Sequence, residues 1–389
     1  MPIINSIAAM QPEIAEWRQD IHTHPELGFE EHRTADAVAH RLRSFGCDEV
    51  ATGIGKTGVV AVIKGRSNTS NRVIGLRCDM DALPIKEATG LPYASQNDGV
   101  MHACGHDGHT AMLLGAARYL AETRNFDGTA VLIFQPAEEG KGGGREMVGE
   151  GMLERFGVQE VYGMHNKPGM PPGTFGIRPG PMMAAADRIH ITVRGKGSHA
   201  AYPHLGNDPI VAASHIVIAL QSIVARNVNP IDTAVITIGR IHGGNAGNVI
   251  PGEVHMLGTA RTFSPKVQDI VEARVIETVE NTSKALGCEV DLVYRRDYPV
   301  TINADAQTEF ATGVARAVAG ADSVDTTIEP SMGAEDFSFM LNERPGAMIW
   351  IGNGDSANLH NAAYNFNDEI IPAGVSYWAK LVETAMPVK

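Results

Sequence analysis

The chain has 389 residues, 43% of them hydrophobic and 20% charged, a balance that fits a folded globular protein and excludes a disordered one. That length exceeds what one compact core of ordinary size accommodates, so two domains are expected. With 32 basic against 45 acidic residues the formal charge is −13, which argues against nucleic-acid and anionic-membrane partners, because phosphates need a basic surface.

The opening stretch, MPIINSIAAMQPEIAEW, has neither a basic n-region nor an apolar run of signal-peptide length. No stretch is expected to reach the ~20 apolar residues of a membrane span. Cys47, Cys78, Cys104 and Cys288 are too few and too scattered for a disulfide scaffold. The expectation is a reduced, cytoplasmic protein.

In chain order, Pro12 suits a first helical turn and Ile14, Trp17 and Ile21 share one face, which predicts a helix over residues 11–24. Four short apolar runs then read as buried strands of an α/β sheet: Val73–Leu76, Ala130–Phe134, Val161–Gly163 and Ala347–Ile351. Each leads into a loop of unusual chemistry: RCDMDALP, QPAEEGKGGG, MHN and GNGDSANLHNAAYNFND. In open α/β sheets ligands sit outside the carboxyl ends of the strands, so these donor-rich loops predict an active site. The middle of the chain differs. DRIHITVRG alternates like a half-buried strand, residues 208–226 read as a helix, and TAVITIGRI and EVHMLGTARTF read as strands. A second helix pattern over 265–286 and the strand EVDLVYR complete a ferredoxin-like α+β unit. The expected organisation is an α/β catalytic domain, residues 1–179 and 295–389, with a mainly parallel sheet flanked by helices. A ferredoxin-like domain at about 180–294 is inserted in it.

The densest chemistry is MHACGHDGHTAM, residues 101–112, where Cys104 and His106 precede the apolar helix pattern AMLLGAARYLAE. Thiolate, imidazole and carboxylate together suit Zn²⁺, Mn²⁺, Co²⁺ or Ni²⁺ rather than Ca²⁺ or Mg²⁺. Glu138 and Glu139 follow a buried strand, and adjacent carboxylates there are costly unless a positive charge lies beside them. A metalloenzyme has work for two such groups, one as a ligand and one as the base that deprotonates water. His165 and His360, each in a loop near a strand end, supply further imidazoles. Thiol catalysis, with Cys104 as nucleophile and His106 as base, is a rival reading, but it leaves Glu138, Glu139, His165 and His360 without work. A zinc deaminase would need an H-x-E and P-C-x-x-C pair, and this chain lacks that pair. A non-catalytic metal- or peptide-binding module would have no use for Glu138.

The ordered series HTHPELGFEE, RCDMDALPIKE, MHACGHDGHTAMLLGAA, FQPAEEG, GMHN, GKGSHAAYPH, GNVIPGEV, MGAEDFSFM and LHNAAYNFND resembles the M20 metallopeptidase clan, and within it the amidohydrolase subfamily of hippurate hydrolases, N-acyl-amino-acid amidohydrolases and auxin-conjugate hydrolases. The resemblance runs from about residue 15 to the C-terminus. It implies metal ligands Cys104, His106, Glu139, His165 and His360, two divalent ions (Mn, Zn, Ni or Co), and Glu138 as general base. It further implies that the inserted domain is a dimerisation or lid domain of a homodimer, that His199 reaches into the partner's active site, and that Asn248 and Arg261 hold a substrate carboxylate. The expected reaction is hydrolysis of N-acyl amino acids; the alternative is cleavage of small peptides. The peptidase branch carries His-x-Asp where this chain has Asp79-Met80-Asp81, and His106 is expected to replace the absent histidine. Asp79 and Asp81 are expected to orient ligands or cap a helix. His102 and His109 are expected behind the ligands or at the surface, and His22 and His24 in a structural role at a helix end.

Overall fold

The structure, a computed structural model, describes residues 3–388. The chain divides into two compact units: one made of Met1–Met182, Ile302–Glu329 and Asp336–Lys389, the other of Met183–Thr301 and Pro330–Glu335.

The larger unit is built on an eight-stranded sheet. Its strands lie in the order Glu49–Ile54, Gly58–Lys64, Thr129–Gln135, Val73–Asp79, Glu160–Pro168, Gly346–Gly354, Phe175–Gly176 and Val324–Asp325. The central four, from Thr129–Gln135 to Gly346–Gly354, are mutually parallel. Their apolar runs are buried along almost their whole length, as strands covered on both faces must be. Because they are parallel, their carboxyl ends share one edge. The loops after Asp79, Gln135, Pro168 and Gly354 therefore open on the same side.

The helix His106–Thr123 packs against the helices Asn5–Thr23 and Ile371–Ala385. Its Met112, Leu113, Leu114 and Leu120 have no exposed surface, worth up to ~1.5–3 kcal/mol each. The first helix starts at Asn5 rather than at residue 11, and Pro12 lies inside it. Proline favours a first turn, yet here Ile7 and Ile14, seven residues apart on one face, are both fully buried in the same core. That burial outweighs the hydrogen bond Pro12 cannot make.

The smaller unit has a four-stranded antiparallel sheet in the order Ala234–Gly243, Glu253–Thr262, Ala185–Arg194, Glu289–Tyr298. The helices Pro209–Arg226 and Pro265–Ala285 pack on one face. Asp208 caps the first, accepting from Ile210 N at 2.8 Å, a contact typically worth ~1 kcal/mol. The unit runs from Met183 to Thr301 rather than over 180–294, because the closing strand continues to Tyr298. The expectation that no segment nears a membrane span also needs correction. Pro209–Arg226 is long and apolar enough by length and composition, with mean hydropathy 1.5. Ala212, Ala213, Ile216, Leu220 and Ile223 form its buried stripe, while Ile218 on its outer face is 71% exposed.

Candidate metal centre

Cys104 sits in the turn that starts the helix His106–Thr123, and His106 is the first residue of that helix rather than a loop residue ahead of it. Gly105 between them has φ +89°, and a Cβ there would lie 2.4 Å from Asn166 Oδ1 and 2.6 Å from the Tyr364 hydroxyl. Only glycine fits this position, and it turns both neighbouring side chains inward. Asp81 carries the next layer. Its carbonyl and its Oδ1 lie 2.9 and 3.1 Å from His106 Nδ1, so Nδ1–H donates and Nε2 is the ring atom turned to the other donors. That Nε2 is buried with no hydrogen-bond partner.

Glu139 approaches from the strand end after Gln135. Its backbone N–H donates to Asp81 Oδ2 at 2.9 Å, and its buried Oε1 has no hydrogen-bond partner. One ligand atom from each of Cys104, His106 and Glu139 lies within 4.8 Å of the other two. His165 lies inside the strand Glu160–Pro168, three residues before its end, rather than in a loop after it, and places Nε2 3.4 Å from Cys104 Sγ. Its Nδ1 donates to the Asn166 carbonyl at 2.7 Å. Burial, helped by neighbouring His109, holds His165 well below the usual imidazole range. With Nδ1 donating, its Nε2 is the acceptor that faces the Cys104 sulfur. His360 completes the set from the loop after Gly354. Its backbone has φ +61° and its N–H donates to Ala103 O at 2.8 Å. Its Nε2 comes within 3.0 Å of Glu139 Oε1, off the line of a hydrogen bond. Left-handed backbone at a non-glycine residue persists only where the surroundings hold it, commonly at ligand sites. Cys104, then Glu139, push His360 up to about 10. Burial and the Glu139 carboxylate push the Cys104 thiol up, while His106 pulls it back. Burial works against a charge on His106, but Asp79 and Cys104 outweigh it and hold the imidazole well above its usual range. A pocket that clings to protons in this way presents excess negative donors, and a cation can replace those protons.

The five expected ligands thus converge, and the orphaned Nε2 of His106 and Oε1 of Glu139 are what a metal would satisfy. Thiolate, imidazole and carboxylate donors fit a divalent transition ion. Asp79 and His109 lie close enough to count as further donors, but both are committed. Asp79 takes Arg77 at 2.8 Å and His109 Nδ1 at 2.6 Å, and His109 Nε2 accepts the Asn166 N–H at 3.0 Å. They hold the ligands from behind, and neither His102 nor His109 is at the surface.

Glu138 is 7% exposed, and its Oε1 accepts the Asp336 N–H at 3.4 Å. The residues expected to touch substrate all belong to the smaller unit. His199 pairs with Val249 in a two-residue ladder, and Ala200 N donates to Asn248 O, so His199 and Asn248 are neighbours, both exposed. Arg261 stands apart on the four-stranded sheet, opposite Val235 and Ala186. Burial lowers its pKa, with Asp187 acting against that.

Sequence reasoning missed a buried ion cluster behind the ligand turn. Arg18 and His22 both reach Asp107 Oδ2, at 3.3 and 2.8 Å, and all three side chains are fully buried. The periodic i, i+4 spacing of Arg18 and His22 on a helix facing the core was the available signal.

The family model of peptidase family M20/M25/M40 matches residues 75–384. Hippurate hydrolase of Campylobacter jejuni is 42% identical over 381 residues, covering 98% of each chain. N-acetyl-L-cysteine deacetylase of Bacillus subtilis is 40% identical over 367 residues, 94% of this chain and 86% of that one. A solved Bacillus subtilis structure, described as a dinuclear metal binding peptidase from the M20 family, superposes with a TM-score of 0.84 at 35% identity, covering 97% of this chain and 99% of the other. The chain belongs to the M20 peptidase family. Its fold is the α/β domain with a mainly parallel sheet that the buried apolar runs predicted.

Proposed function

We propose that this protein is a metal-dependent amidohydrolase that cleaves N-acyl amino acids into a carboxylic acid and a free amino acid. The observation that carries this reading is the convergence of Cys104, His106 and Glu139 with His165 on the Cys104 sulfur and His360 on Glu139 Oε1, where the buried His106 Nε2 and Glu139 Oε1 make no hydrogen bond, one residue away from a second buried carboxylate. Relatives named hippurate hydrolase and N-acetyl-L-cysteine deacetylase support the substrate class. The solved dinuclear metal-binding peptidase supports a pair of ions, which we assign to those five residues and draw from Mn, Zn, Ni or Co.

Bound ions would lower the pKa of a water and polarise the acyl carbonyl. Glu138, kept out of bulk solvent, takes the proton of the attacking water and returns it to the leaving nitrogen, so the amide leaves as a neutral amine. His199 donates a hydrogen bond to the oxygen on which charge develops. Arg261 and Asn248 hold the substrate carboxylate, a local positive contact that the overall charge of −13 does not forbid. The smaller unit's edge strand Ala234–Gly243 is unpaired on one side, which supports pairing with a second copy into a homodimer.

The test is turnover of a panel of N-acyl amino acids and dipeptides by chelated protein and by protein reloaded with each of Mn²⁺, Zn²⁺, Co²⁺ and Ni²⁺. Chelation should abolish turnover and reloading should restore it. Dipeptide preference would move the assignment to the peptidase side. Full activity in protein shown metal-free by elemental analysis would refute it.

A further inference from the structure

The turn that carries Glu138 is closed by one bond of its own, Gly143 N–H to Ala137 O at 3.0 Å, and is otherwise held from outside. Ala137 has φ +54° and ψ 44°, a left-handed conformation in a residue with a side chain, and it is fully buried. Such a conformation survives only where neighbours over-determine it. Here the neighbour is Glu31, from the segment before the helix His32–Ser44. Its Oε1 accepts the Ala137 N–H at 2.8 Å and its Oε2 accepts the Thr57 hydroxyl at 2.5 Å. Glu31 has no exposed surface, and no lysine or arginine pairs with it among the described contacts. Two more contacts stitch the same segment to the same turn. Lys141 Nζ donates to Gly28 O at 2.6 Å, and Gly28 packs so closely that a Cβ there would lie 2.9 Å from Ala137 Cα.

The far side of Glu138 is held separately. Glu139 N–H goes to Asp81 Oδ2 at 2.9 Å. Two buried carboxylates therefore grip the backbone on either side of Glu138, Glu31 at residue 137 and Asp81 at residue 139. Asp81 also orients His106, so its loss would disturb metal and base together. Glu31 touches no ligand. It reaches only Ala137 and Thr57 among the described hydrogen bonds outside its own helix entry.

We propose that Glu31 is a positioning residue for Glu138: by fixing the Ala137 N–H it aims the carboxylate that moves the proton, and it sets turnover without setting metal content. This rests on Glu138 being the general base. An unpaired buried carboxylate is costly to keep, and burial, opposed by the Thr57 hydrogen bond, pushes the Glu31 pKa up. The fold carries that cost where it fixes the Ala137 N–H beside Glu138. Small displacements of a catalytic group lower rates steeply.

The experiment compares Glu31→Leu, Glu31→Gln, Thr57→Val, Glu138→Ala and the Glu31→Leu/Glu138→Ala double variant in metal-loaded protein, reading kcat, KM, metal per chain and melting temperature. Glu31→Leu should lower kcat at least tenfold with KM and metal content unchanged. Glu31→Gln, which keeps an acceptor for the Ala137 N–H, should recover most of that loss. Should Glu31→Leu not fold, Thr57→Val, which removes one of the two contacts, should show a severalfold kcat loss alone. In the Glu138→Ala background Glu31→Leu should cost nothing further, since its effect passes through Glu138. A folded, metal-loaded Glu31→Leu with normal kcat overturns the proposal, as does a kcat loss that tracks metal loss, or normal kcat in Thr57→Val where Glu31→Leu is unfolded. Normal kcat in Glu138→Ala would sink the base assignment instead, and the two failures are thereby distinguished.

Discussion

Glu138 and Glu139 are chemically identical neighbours, and their surroundings separate them. Glu139 brings an oxygen that makes no hydrogen bond beside Cys104 and His106, and the same Oε1 lies 3.0 Å from His360 Nε2. Glu138 turns instead to the Asp336 N–H. The resemblance assigns Glu139 as ligand and Glu138 as base, and the two variants below test that division of labour. Glu138→Ala should therefore keep its metal and lose ~10²–10⁴ in turnover, the usual share of a general base. Glu139→Ala should lose metal first, and with it thermal stability, because ion binding contributes to folding. Metal analysis and kcat on both variants at saturating metal check this, and the roles are reversed if Glu138→Ala comes out metal-depleted while Glu139→Ala stays loaded and inactive. Cys104→Ser replaces a thiolate with a neutral hydroxyl and should weaken metal affinity, read by titration against a chelator.

At the scale of elements, the carboxyl ends of four parallel strands and the start of one helix bring the donors together. The segments after Asp79, Gln135 and Gly354 were legible as donor-rich loops following apolar runs, whereas MHN, read as a loop, is part of the strand Glu160–Pro168. Their meeting at one edge depends on the parallel register that sets Asp79 beside Gln135 and Trp350 beside His165. The helix start contributes Cys104 and His106 through Gly105, wedged against Asn166 and Tyr364. Gly105→Ala should cost at least ~1 kcal/mol, since it combines φ +89° with a clash against hydrogen-bonded side chains. Metal affinity should fall more than fold stability, measured as chelator competition against a thermal melt; unchanged affinity would show that the turn does not aim the ligands. The misplaced start of the first helix has the same lesson. Pro12 looked like a first-turn residue because a local rule favours it there, and only the core contact of Ile7 shows why the helix continues.

For the molecule as a whole, two consequences are measurable. The first concerns pH. Burial disfavours a charge on His22, but Asp107 and Glu87 outweigh it and push it up to about 9. Its folded value lies above the ~6.5 of the unfolded chain, so its contribution is complete below about 6.5 and is lost as pH rises towards 9. The effect is on the order of 3 kcal/mol at most. Melting temperature should fall across that window, and His22→Asn should start lower and flatten the curve; a variant with the parental pH slope would assign the loss elsewhere. The second concerns assembly. If the homodimer shares His199 between subunits, mixing inactive His199→Ala with inactive Glu138→Ala should recover activity, because one site in each mixed dimer is whole. No recovery under demonstrated subunit exchange counts against the shared site.

Some of this was settled by local chemistry written along the chain. The ligand types, the paired carboxylates, the apolar strands and the ferredoxin-like run of elements follow from side-chain chemistry and from periods of 2 and 3.6 residues, which act within a few positions. The motif series pointed to the family, and the family match agrees. The tertiary structure alone decided which donors are free. Nothing local distinguishes His106, whose Nε2 is orphaned, from His109, whose two nitrogens are taken by Asp79 and Asn166. Nor does spacing reveal that Arg18 and His22 meet Asp107 some 85 or more residues away, or that Glu31 grips Ala137 across 106. These pairings exist because burial strips water from polar groups and forces each to find a partner wherever packing brings one. That requirement is imposed by the folded core, and no window of sequence contains it.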